Sequence, residues 1–386
     1  MKVAVIRETF PGERRVALVP AVVPSLVKAG MEVLIEAGAG VAAGFPGEQF
    51  SARGAKIVGR GEALAAEVLL QIRSLGCNPD TGRADLSEMR PGQVVIGLCE
   101  PLWNPQAAAE LAQTGATLFG LELIPRITRA QSMAVLSSMA TIGGYRSVLL
   151  AATTLGKMFP MLTTAAGTVT PAKVFIVGAG VAGLQAIATA RRLGAVVSAY
   201  DVRAAAKEQV QSLGAKFVEM PLDAAAAEGH GGYAQAMDEN FYRRQRELMI
   251  RVVAEHDVVI TTAAVPGKKA PVLITREMAD AMPPGSVIVD IAERGGNCEL
   301  TQPGETVQHG NVTILGPTNL PADVPFHASQ MFAKNITTLL THLLRDGKFA
   351  FDMSDEITRE TLVTRDGEVV NPRVRAALGL ETAAAG

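Results

Sequence analysis

Residues 173–203 read KVFIVGAGVAGLQAIATARRLGAVVSAYDVR, and the fold class follows from them. A β-branched run, Val174 to Val177, leads into Gly178, Gly180 and Gly183, a G-x-G-x-x-G with Ala179 and Val181 between the glycines. Leu184, Ile187 and Ala188 then fall on one helical face. Arg191 and Arg192 suit the negative end of that helix, and Gly194 suits its stop. A second strand follows and ends at Asp201. The glycine pattern alone is weak, but a strand before it, a helix after it and an acidic strand end beyond make a dinucleotide-binding unit. Gly178 permits the tight turn, Gly180 lets the backbone approach a pyrophosphate, and Gly183 lets the helix lie close to the sheet. The pyrophosphate would sit on the free N–H groups of the helix start. Asp201 would accept hydrogen bonds from the adenosine ribose hydroxyls and repel a 2′-phosphate, which favours NAD over NADP, while Arg203 close by works against that preference.

Outward from this unit, strands are expected at 258–261, 287–290 and 312–315, apolar on both faces as buried parallel strands should be. Between the second and third strands, residues 220–247 hold GHGGYAQAMDENFYRRQRE, which reads in part as a loop or flap. Gln245 lies there in a charged run that reads as a solvated face. Toward the N-terminus, strands are expected at 3–6, 33–35, 67–72, 94–98 and 117–120, with helices at 20–29, 61–66 and 106–113. Residues 126–155 have helical character over most of their length and few turn signals, and a long helix there would connect two domains. A further helix is expected at 327–344, where Phe332, Ile336, Leu339, Leu340 and Leu343 fall near a 3.6 period. The predicted class is α/β, two Rossmann-like domains with parallel sheets joined by long helices. The N-terminal domain takes 1–135 plus 328–386, because the last segment is expected to pack back on it, and the dinucleotide domain takes 136–327.

Composition narrows the function. The 386 residues carry 36 Lys+Arg and 38 Asp+Glu, a net charge of −2, which argues against a nucleic-acid partner. Cys77, Cys99 and Cys298 form no CxxC pair and are odd in number, so reduced thiols are expected rather than a disulfide frame or a metal site. The N-terminus lacks the long apolar core of a signal peptide. No window of about 18 uninterrupted apolar residues occurs, so no membrane span is expected.

The runs RETFPGERRVALVP, RITRAQSMAVLSSMATIGGYR, GAGVAGLQAIATARRLGA, GGYAQAMDENFYRRQ, TTAAVPGKKAPVLIT and GNVTILGPTNLP together are far more distinctive than the glycine motif. Over nearly the whole chain the sequence resembles the NAD(H)-binding component of proton-translocating nicotinamide nucleotide transhydrogenase, a family related to alanine dehydrogenase. The resemblance implies that a loop with Arg126, Ile127 and Gln131 orients the nicotinamide, with Ser137 beside the carboxamide. It implies that Tyr233, beside Gly232, belongs to a loop that closes over the nucleotide. It implies nucleotide contacts from Gln245, Val265 and the run Asp201, Val202, Arg203. Ala134 stands where the family has an Asp. The resemblance further implies NAD(H) bound here, NADP(H) on a partner subunit, membrane-spanning partner subunits, a homodimer, and a peripheral place on the cytoplasmic face of the membrane.

Two other readings stay open, an alanine dehydrogenase-like amino-acid oxidoreductase and a non-catalytic NAD(H) sensor. Oxidising an amino acid needs a proton-handling group and a cation for the carboxylate. The histidines are His230, His256, His309, His327 and His342, none in the first 229 residues. VVIGLCEPLW stands where a catalytic His would follow its strand, LLQIRSLG offers Arg73 rather than Lys, and DIAERGGNC replaces an Asp-containing turn. Asp290, inside a strand, reads as structural. Hydride transfer between two nicotinamides moves no proton at the carbon centres and needs alignment and dryness instead.

Overall fold

The computed structural model describes residues 1–219, 239–263, 269–291 and 295–380. The chain divides into two compact units, Met1–Met139 with Pro321–Gly386, and Ala140–Leu320. The first stretch supplies β1 (Lys2–Val5), β2 (Glu32–Glu36), β3 (Lys56–Val58), β4 (Val68–Arg73), β5 (Val94–Leu98) and β6 (Thr117–Gly120). The second unit holds the hairpin β7 (Leu162–Thr164) and β8 (Gly167–Val169), then β9 (Lys173–Val177), β10 (Val196–Tyr200), β11 (Lys216–Phe217), β12 (Val258–Thr261), β13 (Val287–Asp290), β14 (Thr306–His309) and β15 (Val312–Leu315). The returning chain adds β16 (Leu344–Arg345), β17 (Lys348–Phe349), β18 (Leu362–Arg365) and β19 (Glu368–Val369) to the first unit.

The sheet of the first unit runs β19-β18-β6-β5-β4-β1-β2-β3, and that of the second runs β11-β10-β9-β12-β13-β15-β14. In the second sheet the chain moves outward from β9 through β10 to β11, then crosses back to β12 on the other side of β9. A crevice opens at such a reversal, outside the carboxyl ends of the two central strands. Strand residues alternate between two cores. Ile176, Val197, Ile260 and Val289 pack with Val148, Ala151 and Ile187 from the helices Val135–Thr154 and Val181–Arg192. Phe175, Val177, Val259 and Ile288 pack with Met249, Val253 and Met278 on the other face. Helices therefore cover both faces, and fully burying each such side chain contributes about 1.5–3 kcal/mol relative to exposing it.

Both sheets add antiparallel edges to their parallel cores: β14 pairs antiparallel with β15, and β18 with both β6 and β19. Within β14, β18, β19, β3 and the β7–β8 hairpin no more than two apolar residues are adjacent. All six residues of the hairpin are exposed, and β14 alternates exposed with half-buried positions. Within 126–155, the stretch expected to be helical over most of its length, the helix runs from Val135 to Thr154. Before it the chain makes a 3-10 turn, Thr128–Met133, and Ala134 leaves the helical region at φ −72°, ψ 80°. That helix is long and apolar enough by length and composition to cross a membrane, although Arg146 interrupts it. Its apolar residues have a use inside the fold, since Val148 and Ala151 are fully buried in the core of the second unit.

The same helix closes against the start of the helix Val181–Arg192. A Cβ placed on Gly144 would lie 2.1 Å from the Ala182 carbonyl oxygen. Gly to Ala in a helix interior gains up to about 1 kcal/mol in propensity, but overpacking costs about 1–3 kcal/mol and the obstacle is backbone that cannot turn aside. Gly144→Ala is therefore expected to lower the urea midpoint of unfolding; a midpoint equal to or above the parent's would show that the helices separate freely.

Candidate functional site

The reversal point of the second sheet is built by the glycine loop. Gly178 has φ +95°, a left-handed conformation, and a Cβ there would lie 2.8 Å from Thr262 Oγ1 at the end of β12. Thr262 Oγ1 donates to the Gly178 carbonyl at 2.9 Å, which pins the turn to the neighbouring strand. A Cβ on Gly183 would lie 1.8 Å from that same Gly178 oxygen, so only glycine lets the helix lie on the turn. A Cβ on Gly180, in contrast, would meet nothing within 4 Å. The loop is closed toward the protein at Gly178 and Gly183 and open at Gly180. The helix Val181–Arg192 starts there with no side-chain cap, and its first-turn N–H groups have no acceptor within the helix. A helix start of this kind can receive an anion.

Asp201 ties the loop to β10. Its Oδ2 accepts the Ala179 N–H at 2.7 Å and Arg203 Nη2 at 2.9 Å, while Oδ1 accepts the N–H and Nε of Arg203, both at 2.9 Å. The carboxylate thus has four protein donors, and a ribose hydroxyl would have to compete with the Arg203 fork. Arg203 in turn neutralises Asp201, so its proximity does not leave a bare cation for a 2′-phosphate. Val181 is exposed and Val202 half-buried at the rim.

Gln245 departs from the solvated face read in the sequence. It is fully buried on the helix Glu239–Val253, and its Nε2 donates to the Tyr200 hydroxyl at 2.8 Å. Residues 239–247, the end of the stretch read in part as a loop or flap, belong to that helix, which turns Gln245 inward beside Met249 and away from the charged neighbours. Burial pushes the Tyr200 hydroxyl up to about 12. Gly232, Tyr233 and Val265 lie outside the described residues. Asn297, missed in the sequence, donates from Nδ2 to the carbonyls of Ala263 and Pro271, both at 2.9 Å, and so joins the two sides of residues 264–268. Asp290 is buried and holds Thr261, the Cys298 N–H and Thr301, a structural role.

In the first unit, Arg126 and Gln131 are exposed, and Ile127, Ala134 and Ser137 are half-buried. That unit's own reversal point lies between β1 and β4. Glu13 there accepts Arg15 Nη2 at 2.7 Å and Arg73 Nε at 2.9 Å. Glu8 turns its two oxygens to the N–H groups of Ile72 (2.6 Å) and Arg73 (3.2 Å). The two carboxyls are driven apart. Burial, reinforced by the charge of Glu13, raises Glu8 to about 8. Burial works against Glu13 too, but Arg15 and Arg73 outweigh it and hold it down at about 2. Cys77, Cys99 and Cys298 are buried and not disulfide-bonded.

Family models match both halves of the chain: "Alanine dehydrogenase/PNT, N-terminal domain" over residues 4–143 and "Alanine dehydrogenase/PNT, C-terminal domain" over residues 147–372. The chain belongs to the alanine dehydrogenase/PNT family. Within the family it is 46% identical to the first portion of the NAD(P) transhydrogenase subunit alpha of Rhodospirillum rubrum, over 96% of this chain and 98% of that protein. It is 28% identical to an alanine dehydrogenase of Mycobacterium tuberculosis over 98% of this chain and 97% of that one. Among solved structures, a transhydrogenase from Sinorhizobium meliloti matches with TM-score 0.84 at 43% identity, covering 96% of this chain and 99% of that one. An L-alanine dehydrogenase matches with TM-score 0.82 at 27% identity, covering 98% and 99%. The fold is common to both branches of the family, whereas sequence identity separates them.

The raised Glu8 makes a testable prediction. Its pKa is about 8 folded against 4.5 for the free side chain, so between those values the folded chain holds a proton that the unfolded chain releases. Stability then falls as pH rises through that window. Glu122, raised by burial to about 7, adds a smaller fall of the same sign. Glu8→Gln is expected to flatten the decline of the urea midpoint between pH 5 and pH 8; an unaltered slope would show that Glu8 ionises normally.

Proposed function

We propose that this chain is the NAD(H)-binding alpha subunit of a proton-translocating NAD(P) transhydrogenase, passing hydride between NAD(H) held here and NADP(H) on a partner subunit. The observation that carries this reading is 46% identity, over nearly the full length of both chains, to a transhydrogenase alpha-subunit chain.

The chemistry agrees. The bound nicotinamide supplies the hydride donor or acceptor, and the transfer itself needs no proton shuttle, only alignment and exclusion of water. In the first unit Arg73 is engaged by Glu13, and Cys99 and Glu100 follow β5. The unit's two described histidines come from the returning segment, where His327 lies exposed and His342 is held by Asp355. This set does not supply the histidine and lysine that amino-acid oxidation uses in the related enzymes. The glycine loop fits the pyrophosphate, because Gly180 is open where Gly178 and Gly183 are closed. Asp201 accepts the adenosine ribose once Arg203 yields, and its hydrogen bond to Ala179 holds the loop in the receptive path. Arg126, Gln131 and Ser137 orient the nicotinamide, and Tyr233 belongs to the covering loop.

Membrane-spanning subunits carry the protons, and this chain attaches to them at the cytoplasmic face. It pairs with a second copy. The exposed β7–β8 hairpin supports self-association, since Met161, Leu162 and Val169 present apolar surface there, with Met158 nearby in the chain.

Mixing the purified chain with an NADP(H)-binding transhydrogenase subunit is expected to give reduction of an NAD analogue by NADPH, followed spectroscopically. Alanine-dependent NADH formation by the chain alone, without transfer, would make it an amino-acid dehydrogenase; tight NADH binding with neither activity would make it a sensor. Asp201→Ala removes a charged acceptor and frees the loop. It is expected to weaken NADH binding about 10- to 100-fold, the effect of a hydrogen bond to a charged group; unchanged affinity measured by calorimetry would remove Asp201 from the ribose site.

A further inference from the structure

The loop that carries Arg126 and Gln131 is held from the far end of the chain. Its 3-10 turn, Thr128–Met133, has three residues per turn, so its side chains fall into three rows. Ala130 and Met133 form the buried row. Thr128 and Gln131 belong to a second row, and both are exposed. Arg129 and Ser132 occupy the third row, and these two residues meet the returning segment. Asn335, on the helix Pro325–His342, donates from Nδ2 to the Ser132 carbonyl at 2.8 Å. Arg129 pairs with Asp355, whose other oxygen holds His342 Nε2 at 2.9 Å and the Thr358 N–H at 2.9 Å.

Asn335 is an expensive residue for its position. It is only 5% exposed, on the face of the helix that also buries Phe332, Ile336 and Leu339. Its Oδ1 is buried with no hydrogen-bond partner among the described residues. An unmet buried polar group costs about 1–3 kcal/mol, more than the single bond to Ser132 returns, so an aliphatic residue would serve packing better. What Asn335 does that an aliphatic residue cannot do is fix the Ser132 carbonyl, directly after Gln131. Asp355 adds a charged tether. Burial opposes its charge, but the Thr358 N–H, His342 and Arg129 hold its carboxyl well below the usual carboxylate range. The Arg129 side chain is 52% exposed, and a half-exposed pair of this kind contributes little stability, roughly 0–1 kcal/mol. Asn335 is therefore the main anchor and Asp355 the lesser one.

We propose that Asn335 and Asp355 are positioning residues that clamp the 126–131 loop, so that Arg126 and Gln131 meet the nicotinamide end of the dinucleotide in one pose. This rests on the reading of that loop given under the proposed function. Neither residue touches the nucleotide in this scheme; Asn335 acts through the loop backbone at Ser132 and Asp355 through the Arg129 side chain.

The test compares two ligands on the full chain by calorimetry: NADH, and ADP-ribose, which lacks the nicotinamide. Asn335→Ala is expected to weaken NADH about 3- to 10-fold, the worth of one neutral hydrogen bond, and to leave ADP-ribose within about twofold. Asp355→Asn and Arg129→Gln, at the surface end of the clamp, should show a smaller shift of the same selective kind, and they serve if Asn335→Ala folds poorly. Gln131→Ala tests the underlying reading separately. If it leaves NADH binding unchanged, the loop does not read the nicotinamide and the inference falls with that reading. If Gln131→Ala weakens NADH while the anchor variants do not, the reading stands and the clamp is overturned. Equal weakening of both ligands by the anchor variants would also overturn it, as general damage to the fold. In the double variant, Asn335→Ala should add little to Gln131→Ala, because both act on one contact.

Discussion

The path of the glycine loop depends on one close approach, that of the Gly183 Cα to the Gly178 carbonyl. Any Cβ at residue 183 would fall inside that oxygen, so the start of the helix lies on the end of the strand only because residue 183 lacks a side chain. The other features of the receptor follow from this approach. It aims the uncapped helix start at the crevice, leaves Gly180 facing open space, and brings the Ala179 N–H to Asp201. Gly144 repeats the constraint from outside, where a second helix reaches the Ala182 carbonyl at a distance only glycine allows.

The first unit has the same reversal between its central strands, β1 and β4, but puts it to a different end. Its reversal point is filled by its own charges, with Glu13 engaged by Arg15 and Arg73, and Glu8 set against backbone N–H groups. A crevice whose cations already hold an internal carboxylate is a different receptor from the open glycine loop. The contrast supports the proposed transfer of hydride between nucleotides, on the two-unit architecture that the chain shares with its dehydrogenase relatives. Glu8 is a proton-holding group that the histidine count did not reveal, because a carboxyl becomes one only through its folded surroundings, here burial reinforced by the charge of Glu13.

Much of the fold was legible because its strands are buried on both faces. The expected bounds of β5, β6, β10, β12, β13 and β15 coincide with the observed ones, since runs such as Val258–Thr261 leave few alternatives. The strands that escaped are those whose sequence does not carry the signal. Thr306–His309 is polar and half-exposed, and it forms because β15 offers it an edge. The stretch 126–155 is helical over most of its length, as its sequence reads, but where the helix starts was not legible: residues 128–133 form a 3-10 turn packed on the helix Pro325–His342, and the helix begins at Val135.

At the site, the order of residues was enough to locate the glycine loop, its strand and helix, and the carboxylate at the end of the next strand. Each of these is a local requirement, met by residue types at short spacing. It took the folded chain to share Asp201 between Arg203 and Ala179, to turn Gln245 inward to Tyr200, and to bring Asn335 to Ser132 across 203 residues of chain. The difference lies in the range of the forces. Backbone sterics and hydrophobic periodicity act between near neighbours and are written in order along the chain. The partner of a buried polar group is set by whichever donor or acceptor the folded chain brings within hydrogen-bond distance, and spacing along the chain carries no trace of it.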